Sequence, residues 1–344
     1  MSLWMRWLNF RALRDLLLLV ERHPSGLRAY ELERLATDER VLLRRDGRPY
    51  AQTMHYHHRR TLERLGLLEK QNRRLILNYR NPEVGVLVSR SKLREELQAP
   101  EKAAFANAVL RDADCYNVFF GNFVQAREEA LDVATFVEGA HPVQIVVQTG
   151  SFERKGSHGI DGGGDAAGAP PKEVRIRASG TTKWRVLYGA NAVQAIHFGL
   201  RSWCVDQLGF LDITYRTNGT YTAYPKHIVP QMTDQELAVE MFAALDFAGD
   251  WATIRVPDCA LATGISQRVS VAQAKGVLMG WLTDHSDLVA GLPTRVGFIT
   301  AGLPESQHAL ALKSYLRSRS GAYLSHLRIH RTLREHMQNG GSRS

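Results

Sequence analysis

Cysteine is scarce: the 344 residues contain three, Cys115, Cys204 and Cys259. They are far apart, odd in number and form no C-x-x-C pair, which excludes a disulfide framework and a zinc-ribbon site. A reducing, cytoplasmic setting is expected. Long apolar runs are missing as well. Leu16 to Val20 is apolar, but Arg11, Arg14, Asp15, Glu21 and Arg22 bracket it closely. That run is too short for a bilayer, and no small-residue cleavage site follows it. Neither a membrane partner nor a signal peptide is expected. The sequence also lacks a G-x-x-x-x-G-K-[ST] phosphate loop, a G-x-G-x-x-G opening a helix, a G-x-S-x-G elbow, an H-E-x-x-H pair and any internal repeat. These absences remove the common nucleotide-loop, dinucleotide, hydrolase and zinc-protease classes.

What is present is ordinary globular composition with an excess of cations. Hydrophobic residues make up 44% and charged residues 23%, enough apolar material for large cores. The length implies about two or three domains. The net charge of +9 favours a polyanionic partner, because each cation that meets a phosphate releases condensed counterions.

The first 81 residues carry the clearest pattern. Phe10, Leu13, Leu16, Leu17 and Val20 recur on one helical face and predict an amphipathic helix over 9–22. His23-Pro24-Ser25-Gly26 ends it. A second helix fits 28–37. Asp46-Gly47 marks a turn and Pro49 suits a helix start, so a third helix is expected over 49–66. Met54, Thr61, Leu62 and Leu65 form its inward side. Two short extended runs follow, 67–70 and 74–79, separated by Gln71-Asn72-Arg73.

The run His58-Arg59-Arg60-Thr61-Leu62-Glu63-Arg64-Leu65-Gly66-Leu67-Leu68-Glu69 resembles the recognition helix and first wing strand of prokaryotic winged helix-turn-helix regulators of the MarR or PadR type. The resemblance covers about residues 9–80. The longer Arg-rich stretch at 39–49 departs from it. It implies double-stranded DNA as partner, with the third helix in the major groove. The DNA-binding set expected on that helix is Gln52, Thr53, His55, Tyr56, Arg59, Arg60 and Arg64, joined by Arg73 and Arg74 on the wing. The histidines at 55, 57 and 58 suit base contacts better than metal coordination.

From residue 82 the pattern becomes that of an α+β or α/β body. Apolar β-prone runs lie at 84–89, 115–124 and 143–148, with helical stretches at 92–111, split near Pro100, and at 125–139. Residues 156–171, rich in Gly, Ala and Pro, are expected to be a flexible loop between paired strands at 144–152 and 173–178. A strand at 184–188 and a long helix at 190–208 come next. Two β-branched and aromatic runs, 211–217 and 220–224, flank Asn218-Gly219 and predict a hairpin. Its tyrosines 215, 221 and 224 are expected to pack on the sheet. Helices are expected at 233–247, 270–283 and 304–337. The last breaks at Ser320-Gly321 and carries Lys313, Arg317, Arg319, Arg328, Arg331 and Arg334. The expected organisation is therefore a winged helix over 1–81, an α/β body over 82–303 and basic C-terminal helices over 304–344.

Two functions follow. The first is a DNA-binding transcriptional regulator whose body mediates self-association as a homodimer or senses a ligand or protein partner; it needs no cofactor. The alternative is a DNA-processing or antiviral defence protein. Under it the winged helix delivers to DNA either a noncatalytic subunit or a nuclease. Asp132, with Glu153 and Lys155 after the strand at 143–148, resembles the metal-dependent core of PD-(D/E)xK nucleases, in which two carboxylates hold Mg²⁺. Asp132 falls in a helical stretch where that family would want a strand. His326 and His330 lie four apart, a spacing that would pair them on one helix face.

Overall fold

The Asn9 side chain opens the first helix, α1 (Phe10–Glu21), by accepting the Ala12 amide at 3.1 Å. This satisfies one of the donors that a helix start leaves unpaired. The computed structural model describes residues 4–44, 46–89, 92–124, 132–149, 171–178, 181–215, 220–285, 295–302, 315–318 and 320–335. Helix α1 is not amphipathic in use. Leu18 and Leu19 are buried along with the expected stripe, and so are Arg14 and Asp15. The helix runs through the middle of the molecule rather than along its edge.

Next come α2 (Ala29–Asp38), α3 (Gln52–Arg64) and the antiparallel ribbon β1 (Leu68–Gln71) and β2 (Arg74–Leu77). Asn72 and Arg73 make the ribbon turn with φ of 48° and 63°, the mirror-image geometry that two-residue hairpins prefer. Leu27, between α1 and α2, pairs with Leu75 as a third short edge. Gly26 before it has φ +75°, and a Cβ there would lie 2.8 Å from Ile76 Cγ2. Only glycine fits this approach.

The body begins with α4 (Pro82–Val88), α5 (Ala99–Arg111), α6 (Ala113–Val118), a 3₁₀ turn at Phe120–Asn122 and α7 (Val133–Gly139). Two of these replace expected strands. The run 84–89 is helical because Asn81 caps it and Pro82 occupies the first turn. The run 115–124 is helical because Asp112 accepts the Cys115 amide. Both helices are short, and α4 carries the apolar Gly85 and Val86 on its exposed side, so its sequence reads as an apolar run without helical period. Pro100 sits in the first turn of α5 rather than splitting it.

A five-stranded antiparallel sheet follows, in the order β5-β4-β3-β7-β6. Its strands are β3 (Val143–Thr149), β4 (Pro171–Ala178), β5 (Arg185–Tyr188), β6 (Leu211–Tyr215) and β7 (Thr220–Pro225). The expected pairing of 144–152 with 173–178 and of the two runs around Asn218-Gly219 appears as β3 with β4 and β6 with β7. The Asn-Gly turn and the 156–170 loop lie outside the described residues. Between β5 and β6, α8 (Gly189–Val193) continues into a wide helix, Gln194–Gln207, closed by the Leu208 amide on the Trp203 carbonyl five residues back. Ile196, Leu200, Cys204 and Leu208 are buried at four-residue steps along it.

The second unit contains α9 (Asp234–Ala243), β8 (Trp251–Arg255), α10 (Val256–Gln267), α11 (Val271–His285), β9 (Val296–Thr300), β10 (Leu316–Arg317) and β11 (Tyr323–His330). Strand β11 pairs with β8, β9 and β10. The expected helix over 304–337 is therefore corrected: its described residues, 315–318 and 320–335, hold the strands at 316–317 and 323–330, with helical geometry only at 333–335. A register shift between Leu324 and His326 explains the misreading. The bulge slips the alternation by one residue, so Leu324 and Leu327 are both buried at a step of three that imitates a helix. His326 and His330 lie on one strand face with Arg328 between them, about 13 Å apart, instead of on adjacent helical turns.

Every strand pair is antiparallel among the described residues, so the α+β alternative describes the molecule. The cores divide it differently from the expected boundaries. One hydrophobic core runs without interruption from Met5 to Ala223, and a second from Tyr224 to Leu333. The expected boundary at 81 has no counterpart in this packing. Arg14 reinforces the point. From α1 it donates to Asp15 at 2.9 Å, to Glu101 of α5 at 3.1 Å and to the carbonyls of Lys92 and Glu95, tying the first helix to the body inside the core. The joint between the cores is Tyr224. Its hydroxyl donates to Asp212, lies 3.1 Å from the Val269 carbonyl, and rests on the backbone of Gly264, where a Cβ would come within 2.5 Å of it.

Candidate nucleic-acid interface

Helix α3 lies between α2 and a strap of extended chain, residues 4–9. Asn9 N–H donates to His58 Nε2 at 3.1 Å, and His58 Nδ1–H donates to the Met54 carbonyl at 3.0 Å. Trp7 meets His58 edge-on and tilts against Tyr50. The strap is held on its other side by the wide helix. Trp203 Nε1 donates to the Arg6 carbonyl, Gln207 Nε2 donates to the Leu8 carbonyl, and Met5 packs against Gly199. Burial drives the His58 pKa down to about 4, against the opposing effect of its bond to Met54. The ring is a neutral structural bridge.

This packing sorts the expected DNA-binding residues into two groups. Gln52, Thr53, Tyr56 and Arg60 face solvent on α3, at the three- and four-residue steps of one helical stripe. His55 is fully buried, which lowers its pKa, and it faces no solvent. Arg59 is 6% exposed. Its guanidinium is spent on Glu33 at 2.8 Å and on Glu63, and it lies 5.1 Å from the Tyr56 ring centroid. Arg64 is half-exposed but bound to Asp112 at 3.1 Å and to Asp114, with its guanidinium 4.6 Å from the Trp4 ring centroid. It fastens α3 to the cap of α6. On the ribbon, Arg73 is exposed at the tip, while Arg74 donates to the Gly26 carbonyl at 2.8 Å. Arg59 and Arg64, both expected to contact DNA, instead engage carboxylates of other elements, Arg59 within the protein and Arg64 at its surface.

Arg60 pairs with Glu63 at 2.8 Å, but Glu63 also serves Arg59 and Lys70. Burial works to raise the Glu63 pKa, yet Lys70 and Arg59 outweigh it and hold the carboxyl below its ordinary range. Two carboxylates, Glu33 and Glu63, among three cations leave net positive charge at this end of the helix. The wider segment is also cationic. Residues 1–81 hold 17 Lys and Arg against 9 Asp and Glu, so +8 of the chain's +9 lies there.

The structure adds residues that periodicity did not reveal. A cleft of about 540 Å³ opens beside α3, lined by Trp4, Arg6, Tyr56, His57, Arg60 and Arg64, among others. Arg6 Nη1 lies 2.6 Å from His57 Nδ1. Partial burial and the Arg6 charge both lower the His57 pKa, so a neutral ring accepts from Arg6. Arg6 precedes α1 and has no helical phase. Its one sequence signal is a cation set between two tryptophans, Trp4 and Trp7.

The nuclease candidates are not brought together. Asp132 caps α7: one carboxylate oxygen accepts the Ala134 and Thr135 amides, and the other accepts the Thr135 hydroxyl at 2.6 Å. Glu153 and Lys155 lie outside the described residues. Among the described residues no group of three His, Cys, Asp or Glu side chains could hold a metal ion, and no helix is long and apolar enough to cross a membrane. No protein-family model, curated protein or solved structure matches the chain.

Proposed function

We propose that residues 4–81 act as a winged-helix reader of duplex DNA within a noncatalytic regulator. The observation that carries this reading is the solvent-facing stripe Gln52, Thr53, Tyr56 and Arg60 on α3, beside a ribbon tipped by Arg73, in the segment that holds nearly all of the net charge. Three helices followed by a ribbon whose strand also pairs with Leu27 is the order such a module requires. B-form DNA is the fitting duplex, since its major groove admits a helix and the A-form groove of RNA does not. Gln52, Thr53 and Tyr56 supply groups for base edges and backbone. Arg60, Arg73 and Arg6 supply phosphate contacts, which position rather than specify. Arg59 and Arg64 set the pose of the helix instead of touching the ligand. The nuclease alternative is disfavoured by Asp132, whose two carboxylate oxygens are already committed to the start of α7.

The test is fluorescence anisotropy of a labelled random duplex titrated with the full chain from about 50 to 200 mM salt. Affinity should fall as salt rises, and Arg60→Glu with Arg73→Glu should weaken it about tenfold or more. Absence of binding at the lowest salt, or wild-type affinity in the double variant, rejects the proposal.

A further inference from the structure

The five-stranded sheet has a second surface that the duplex reading does not use. Directly opposed residues of an antiparallel pair share a face. The register therefore puts Gln144 beside Arg177, Val146 beside Arg175, and Glu173 between Gln148 and Tyr188. The other face carries Val143, Ile145, Val174, Ile176 and Leu187, all buried in the first core. The second unit meets this sheet at its far edge, through Asp212 and Tyr224 of β6 and β7. On β3, β4 and β5 the outward side chains reach solvent. Tyr188 is 64% exposed and Trp184 is 37% exposed.

The chemistry of that face is specific. The Tyr188 ring stands in solvent, and the Trp184 ring is partly exposed. The Arg177 guanidinium lies 4.6 Å from the Trp184 ring centroid and donates to Gln144. Glu173 is the single carboxylate on these three strands among the described residues, and Arg175 already binds it. The surface is thus aromatic and cationic, with Gln144, Gln148, Val146 and Val186 between. A duplex hides its bases and cannot use such rings. An unpaired strand offers a stackable π-face at every base and a phosphate at every step.

We propose that the outer face of β3, β4 and β5 binds single-stranded nucleic acid, with bases on Trp184 and Tyr188 and phosphates on Arg177, which no carboxylate among the described residues is shown to engage. From the core side of the edge strand β5, Arg185 donates to the Asn117 carbonyl in α6, and the cap of that same helix receives Arg64, so the outer face of the sheet and the α3 surface are separate sites. The proposal itself does not depend on duplex binding.

The test uses the full chain, a labelled oligo-dT and a labelled duplex of equal length, read by anisotropy, with folding checked by circular dichroism. Trp184→Ala with Tyr188→Ala should weaken oligo-dT binding about tenfold or more and leave duplex affinity unchanged. Arg177→Glu, which keeps both rings, should do the same. Arg60→Glu with Arg73→Glu should leave oligo-dT binding in place, and this separates failure of the duplex reading from failure here. The proposal is overturned by absence of oligo-dT binding at low salt, by wild-type oligo-dT affinity in the ring variant, or by oligo-dT binding that disappears with the α3 and ribbon substitutions. It is also overturned if polyglutamate displaces oligo-dT as well as unlabelled oligo-dT does, since the face would then suit an acidic protein.

Discussion

Helices α1 and α3 both carry arginines in mid-helix, and they use them in opposite ways. Arg14 of α1 is 1% exposed and makes bonds only to the protein's own carboxylates and carbonyls. On α3 the adjacent residues Arg59 and Arg60 divide the labour. The first is buried between Glu33 and Glu63, and the second is exposed on the rim of a cleft. A positive charge in the sequence is therefore not yet a ligand contact. What decides is whether a carboxylate from another element reaches it first. Asp15 shows the cost of such placement: burial raises its pKa above the ordinary value, although Arg14 and the Arg94 amide pull it down.

Three measurements sharpen this contrast. The largest effect is expected at Arg14. Arg14→Ala leaves Asp15 and Glu101 buried without their shared cation, which costs about 3–5 kcal/mol. Urea unfolding of the full chain should show it as a lower midpoint, and a midpoint within error of wild type would break the comparison.

Next is acid. The folded chain keeps His58 neutral down to about pH 4, whereas the unfolded chain takes up this proton below its ordinary 6.5. The unfolded state then binds more protons, so stability falls as pH drops from 6.5 towards 4. The full loss is about 3 kcal/mol. His58→Asn should remove that part of the pH dependence. Identical pH slopes in the two proteins would show that the ring titrates freely.

The smallest effects separate the neighbours on α3. Arg59→Ala should cost about 2 kcal/mol, because Glu33 loses its partner in a mostly buried setting. Arg60→Ala should change stability by less than about 0.5 kcal/mol, while weakening duplex binding. Equal destabilisation by the two substitutions would erase the distinction between an inward and an outward arginine.

The same distinction explains what could be read from the amino acids alone. The helices α1, α2 and α3, the ribbon turn at Asn72-Arg73 and the strand pairs β3–β4 and β6–β7 announce themselves through local period and turn chemistry. The helices α4 and α6 do not, because each spans about two turns or fewer and α4 carries the apolar Gly85 and Val86 on its exposed side. The strand β11 misleads because its bulge gives a step of three. At the candidate site the exposed members, Gln52, Thr53, Tyr56 and Arg60, fall on the stripe that helical spacing indicates. The fate of Arg59 and Arg64 was not legible. Glu33 is 26 residues from Arg59, and Asp112 is 48 from Arg64. Nothing in the local pattern announces partners at that separation.

The strap at residues 4–9 has a mechanical consequence. Bonded to α3 on one side and to the wide helix on the other, it denies the helix any swivel of its own. A reader mounted on a tether can search by wagging while its body stays still. Under the proposed duplex reading, α3 would meet its ligand in an orientation set by the wide helix through this strap.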